Sequence, residues 1–260
     1  DKGSEDVQAQ APPSPTPSTA PVTDAPAQPS PASQPPDDTP KNASTDLSHF
    51  IQDMDARSAR HIALQTVLEL WGVNSSIDPA LDERTDIDTY FDVAAGQNGL
   101  AMLRVDCRLE ILQTLNLPAI ISVRLPDGSS PGFLTVLGIQ GDQVTLGRAR
   151  LNETITVTED VLKPYCTDGA YVPWKDFMSP DGPVPNRPPR DAIAALKNQL
   201  SEIGYTQLDT GPSYDEQTKE TVRQIQRKHG LEPDGIVGSL TKIVLFNENR
   251  RLDIPHIRLD

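Results

Sequence analysis

The chain has 260 residues, with 37 acidic side chains against 23 basic ones and a formal charge of −14. That balance argues against nucleic acid, whose phosphates are held by basic patches, and no Walker-type phosphate loop is present. No run reaches the ~18 apolar residues of a membrane-spanning helix.

Residues 1–45 predict a disordered Pro-rich linker. They hold no aromatic residue, and proline recurs from Pro12 to Pro40 among Ser, Thr, Ala and Gln. Such a segment cannot bury enough apolar surface to offset its ordering entropy. Proline stiffens it toward polyproline II, so it reads as a semi-rigid spacer. The chain opens at Asp1 without a signal peptide. The expectation is a soluble fragment with a membrane anchor upstream.

Folded structure is expected from about Asp46. In "ARHIALQTVLELWG", Ala59, Ile62, Ala63, Thr66, Val67, Leu70 and Trp71 fall on one helical stripe, and Gly72 stops the helix. His61 lies off the stripe and reads as solvated. A second helix is expected over 86–95, a strand at "GLAMLRV" and a short helix at "RLEILQTL" with Leu109, Leu112 and Leu115 inward. "PAIISVRL" reads as a strand starting at Pro118, followed by a turn at Pro126-Asp127-Gly128. "PGFLTVLGIQGDQVTLG" reads as a hairpin turning at Gln140-Gly141-Asp142. "ETITVT", a short helix over 159–162 and "AYVPW" complete the set. Helices first and strands later, in meander order, predict an α+β domain over 46–180 with an antiparallel sheet.

Cys107 and Cys166 are too few for a disulfide scaffold and lack metal-site spacing. They fit one bridge in an oxidising compartment or two buried thiols. No metal or cofactor is implied.

A second Pro-rich break, "SPDGPVPNRPPR", places a linker at 181–190 and a helical domain at 191–260. Pro188 and Pro189 suit the first turn of a helix. "DAIAALKNQLSEIGY" puts Ile193, Leu196, Leu200 and Ile203 on one face before Gly204. Ser213 and Glu216 have capping-box spacing ahead of a helix with Thr218, Val222 and Ile225 inward and Gly230 at its end. A turn at Pro233-Asp234-Gly235 leads to a third helix expected to be capped by Ser239. Asp234 can bond amides of its own turn, and Gly235 and Gly238 permit positive φ. His229 suits a helix C-terminus.

These residues resemble the peptidoglycan-binding module of bacterial cell-wall hydrolases and envelope proteins, a three-helix unit. The resemblance rests on Leu196, Leu200, Gly204-Tyr205, Thr218, Val222, Ile225-Gln226, Gly230-Leu231, Asp234-Gly235-Ile236-Val237-Gly238 and Thr241. The first loop, "DTGPSYDEQT", departs from the family pattern. The resemblance implies peptidoglycan as ligand. Tyr205, Tyr214, Arg223, Gln226, Arg227, Asp234, Gly235, Ile236 and Val237 are the candidate binding residues, and the alternative for each is a purely architectural or surface role.

Residues 46–178 resemble the papain-like fold of bacteriocin-processing cysteine peptidases, through the helix ending Trp71-Gly72, "LNLPAIISVRL" and "GFLTVLGIQGDQVTLGR". A nucleophilic Cys, a His and an Asp of such peptidases would correspond to positions near Ala59, at Gly132 and near Arg148. None can act in the trio that this chemistry requires, so no catalytic residue is expected and the domain reads as an inactive peptidase scaffold. A wall hydrolase or peptidase with a rearranged site is the alternative, and would need Cys107 or Cys166 beside a histidine. A structural adaptor is a third reading. The strand edge at Phe133–Leu137 could accept a partner strand, unless that strand is central and buried.

The whole arrangement resembles the periplasmic portion of the general secretion pathway protein A family of Gram-negative bacteria. That resemblance implies an upstream ATPase module and membrane span, and a periplasmic location. It also implies general secretion pathway protein B as partner, and a role in assembling the type II secretion outer-membrane secretin. Homo-oligomers would raise avidity for the wall without new contacts.

Overall fold

The computed structural model describes residues 40–52, 54–74, 76–83, 86–129, 131–148, 151, 153–178 and 190–257. Most of the first Pro-rich segment and nearly all of the second, with Pro188 and Pro189, lie outside the described residues.

Helix α1 (Pro40–Ile51) begins ahead of Asp46. It is followed by α2 (Ala56–Leu70), α3 (Ile87–Gln97), β1 (Ala101–Val105) and α4 (Leu109–Leu115). Then come β2 (Ala119–Val123), β3 (Gly132–Gln140), β4 (Gln143–Gly147), β5 (Thr154–Thr158), α5 (Glu159–Leu162) and β6 (Cys166–Trp174). Three helices close the chain: α6 (Arg190–Glu202), α7 (Glu216–Lys228) and α8 (Ser239–Glu248). The fold is α+β.

The six strands form one antiparallel sheet in the order β1-β6-β2-β3-β4-β5. β2 to β5 are a meander, and β6 returns to slot between β1 and β2. The β3–β4 hairpin turns at Gly141, whose φ is +62°. Because β3 pairs with both β2 and β4, Phe133–Leu137 is not an edge. Of the two readings of that strand, the central and buried one holds, and β1 and β5 are the sheet edges. β1 lies close against β6 at Gly169, where a Cβ would stand 2.7 Å from the Val105 carbonyl oxygen.

Alternation along the strands sends side chains to two covered faces. Ile120, Phe133 and Tyr171 meet α2 and α3 through Leu64, Val67 and Phe91. Ile121, Leu134 and Val172 face the opposite layer, which holds α1, α4 and α5. All five residues of β2 are buried in consequence.

The α2 stripe is displaced from the one read in the sequence. Ala59, Ala63, Thr66 and Val67 are buried as expected, but Arg60, Leu64 and Leu68 are buried too, while Ile62 stays partly exposed. The cause is α3 on the flank, where the Arg60 guanidinium lies 4.0 Å over the Tyr90 ring. His61 is partly buried rather than solvated, with Nδ1 3.4 Å from the Tyr90 hydroxyl. Gly72 ends α2 at φ +67°, where a glycine is needed.

The three C-terminal helices share the apolar core that α1 and α4 line. Phe246 of α8 meets Phe177 edge-on with centroids 5.1 Å apart, and Trp174 at 6.3 Å. The Asn247 amide donates to the Leu115 carbonyl at 2.6 Å. Beyond α8, the Ile257 carbonyl accepts from Ile139 N at 2.6 Å, beside the part of β3 that β2 does not reach.

Candidate functional site

α6 buries Ala192, Ile193, Leu196, Lys197 and Leu200, and Gly204 ends the turn after it at φ +107°. Lys197 is the residue that the sequence pattern missed. It is only 5% exposed, and its ammonium bonds the carboxylates of Asp209 and Asp215, the latter at 3.2 Å. Burial works against the charged amine, but the two carboxylates outweigh it and raise its pKa. The loop that departs from the family pattern is thus folded around a buried cation. Asp209 also accepts from Gly211 N at 3.1 Å.

Asp215, not Ser213, caps α7. Its carboxylate accepts from Thr218 N at 2.7 Å and from the Thr218 hydroxyl at 2.8 Å, and the backbone bond is the main cause of its lowered pKa. The expected capping box is therefore replaced by a single charged cap. At α8 the cap is Gly238, and Ser239 is the first helical residue without a side-chain cap bond. Gly238 has φ −87°, so it needs no left-handed conformation; Gly235, at +73°, does. A Cβ on Gly235 would come within 2.7 Å of Lys219 Cγ.

Gln226 organises the turn. It is 2% exposed; its amide donates to Asp234 Oδ1 at 2.8 Å, to the Ile236 carbonyl at 3.0 Å and to the Thr241 hydroxyl at 3.1 Å. Its carbonyl oxygen accepts from Gly235 N at 2.8 Å. Asp234 accepts from Ile236 N at 2.7 Å. The Tyr214 hydroxyl donates to the Gly235 carbonyl at 2.7 Å, and burial, followed by the Asp234 charge, pushes the phenol up to about 12.

The structure therefore brings Tyr214, Gln226, Asp234, Gly235 and Ile236 into one bonded cluster. Arg223 and Arg227 are joined to each other through Glu220, at 3.4 and 2.8 Å, on the exposed side of α7. Val237 points into the core. Ile236 is 51% exposed and has Leu240, another exposed apolar residue, four positions on.

Tyr205 stands apart from that cluster. It lines a groove of about 520 Å³ with Gln207, Leu208, Glu216, Gln217 and Gln224. The groove offers an aromatic face and amide and carboxylate groups. Of the expected residues only Tyr205 lies in it. Glu216, Gln217 and Gln224 could have been found by reading the α7 face opposite Val222 and Ile225; Gln207 and Leu208 lie in the loop before α7.

In the preceding domain, α2 starts at Ala56, so its first turn runs Ala56 to Ala59. Gly132 opens β3 beside it, and a Cβ there would lie 2.9 Å from Met54 Sδ. Arg148 donates to the Phe50 carbonyl at 3.0 Å. Cys107 and Cys166 form a disulfide, with Cα atoms 6.3 Å apart. His229 sits at the α7 C-terminus and contacts Glu248 at 2.5 Å. Among the described residues no His, Cys, Asp and Glu are grouped to hold a metal.

Comparison with known proteins adds the following. Residues 189–245 match the family described as "Putative peptidoglycan binding domain". The chain is 25% identical over 186 residues to "Putative general secretion pathway protein A" of Escherichia coli (strain K12), covering 71% of this chain and 35% of that protein. It is 25% identical over 183 residues to general secretion pathway protein A of Aeromonas hydrophila, covering 70% and 31%. The chain thus spans about a third of the length of these curated relatives. Among solved structures, a periplasmic domain of the EpsAB fusion protein of the Vibrio vulnificus type II secretion system superposes with TM-score 0.43 at 15% identity, covering 74% of this chain and 78% of that one. The N-terminal peptidase C39 like domain of a Vibrio parahaemolyticus toxin secretion ATP-binding protein gives 0.37 at 17%, covering 47% and 98%. The resemblance read from the sequence is borne out: over most of its length the chain is similar to general secretion pathway protein A, with the peptidoglycan-binding match on its C-terminal helices.

Proposed function

We propose that the chain is a non-catalytic periplasmic protein that holds peptidoglycan through α6–α8 and presents its α+β body to a protein partner in type II secretion. The observation that carries this reading is the family match at 189–245, which falls on the helices that build the Tyr205 groove. A half-buried aromatic ring among amides and carboxylates suits a ligand made of sugar hydroxyls and peptide groups.

The absence of catalysis is supported by the first domain. The positions that correspond to the peptidase trio carry Ala59, Gly132 and Arg148, none of which can serve as its nucleophile, proton shuttle or carboxylate. Both sulfurs are tied to each other, so neither is a free thiolate nucleophile. General secretion pathway protein B is the partner we assign, and assembly of the outer-membrane secretin is the process. The similarity to protein A supports both. A membrane anchor ahead of the Pro-rich segment completes the proposal.

The test is incubation of the chain with purified sacculi, followed by sedimentation and analysis of the supernatant. Protein in the pellet with no soluble wall fragments released is the expected result. Fragments above the protein-free control would overturn the non-catalytic reading.

A further inference from the structure

A second polar cleft, of about 490 Å³, lies where the body meets the helical module. Gln113 and Thr114 of α4 form one wall, and Lys228, Asn247 and Glu248 form the other. Neither half encloses it alone.

Two observations point to a ligand there. First, Asn247 Oδ1 is buried and accepts no hydrogen bond among the described residues. A buried acceptor without a donor is costly, so turning this side chain toward the cleft that Asn247 lines is favoured once an N–H or O–H donor sits there. Second, the charges at the cleft are largely spent on one another. Glu248 holds Lys228 at 2.9 Å and His229 at 2.5 Å, and Glu110 holds Arg108 at 2.5 Å. What remains for recognition is amide and hydroxyl, which matches a neutral, donor-rich ligand.

The cleft is also aligned with the Tyr205 groove. Gln217, Thr221, Gln224 and Lys228 are spaced four, three and four residues apart, so they share one face of α7. Gln217, Thr221 and Gln224 line the groove and Lys228 lines the cleft. About 16 Å of helix, at roughly 1.5 Å per residue, separates Gln217 from Lys228.

We infer that the two depressions form one track, and that an N-acetylated glycan strand of the wall lies along α7 from Tyr205 into the cleft, where α4 of the body also contacts it. This rests on the wall-binding reading above and extends it: the body is part of the wall site.

The experiment uses the full chain, purified sacculi and soluble wall fragments made by glycan digestion. Thr114→Arg would fill the cleft from the body side while leaving every residue of the module unchanged. Its pelleting with sacculi should weaken by about tenfold, the scale of lost buried polar contacts, while its thermal unfolding matches the parent. In the unmodified chain, hydrogen exchange with soluble fragments bound should slow at residues 110–116 as well as at 204–224. Full pelleting of Thr114→Arg, or protection confined to 204–224, overturns the shared track and leaves wall binding by the module intact. If Thr114→Arg unfolds, the exchange footprint alone decides. No pelleting by the parent chain removes both readings.

Discussion

The Lys242 ammonium, fully buried in α8, lies 2.5 Å from the Asp176 carboxylate just past β6. This ion pair joins the module to the body inside a shared apolar core. Removing one partner breaks this buried ion pair, which costs about 3–5 kcal/mol. Asp176→Ala should therefore lower the melting temperature sharply. Lys242→Met combined with Asp176→Leu should restore most of the loss, because an apolar pair of similar size needs no desolvation of charge. A melt of Asp176→Ala equal to the parent would show that the pair does not hold the two parts together.

Gln226 predicts a different kind of failure. Its buried amide serves three acceptors and one donor in the Asp234 turn. Gln226→Ala leaves several of these groups unsatisfied, at about 2–3 kcal/mol in total. Asp234→Ala removes an exposed carboxylate from the same turn and should cost less. Chemical denaturation of the two variants checks the order; the reverse order would place the weight of the turn on Asp234.

Tyr214 gives a pH signature. Its folded pKa, about 12, lies above the ordinary value of 10. A phenol shifted upward adds stability that is fully present below the unfolded pKa and is lost as pH rises through the folded one. The window is therefore about 10 to about 12. Tyr214→Phe forfeits the bond to the Gly235 carbonyl and should be less stable at neutral pH by about 1 kcal/mol. The gap between parent and variant should then narrow across that alkaline window. A constant gap would mean that the phenol is not shifted.

The disulfide closes a separation of 59 residues. Cys107→Ser with Cys166→Ser should lose roughly 2–4 kcal/mol, chiefly by releasing the unfolded chain. Reductant should lower the parent's melting temperature and leave the double variant unchanged. An equal response in both would rule out a stabilising bridge.

Local periodicity revealed most of the elements. The hairpin from Gly132 to Gly147, the inward face of Thr218, Val222 and Ile225, and the glycine stops at Gly72, Gly204 and Gly230 all follow from residue spacing and the need for positive φ. What spacing does not carry is long-range. The insertion of β6 between β1 and β2 joins residues about seventy positions apart on one side and about fifty on the other, so its neighbours cannot be read from either strand. The docking of α8 buries Lys242, a residue type that is ordinarily exposed. The cap at Asp215 was hidden by an equally regular alternative at Ser213; the bonds from Thr218 and from the Lys197 ammonium distinguish them. The Tyr205 groove was partly legible because α7 has a polar face, but that face has no motif to announce it.

The most direct measurement of wall binding is quantitative pelleting of the intact chain with sacculi, beside a variant carrying Tyr205→Ala and Gln217→Ala in the groove. The account predicts saturable binding by the parent and a loss of about tenfold or more in the variant, with both proteins folded. Equal pelleting of the two, or none by either, would contradict it.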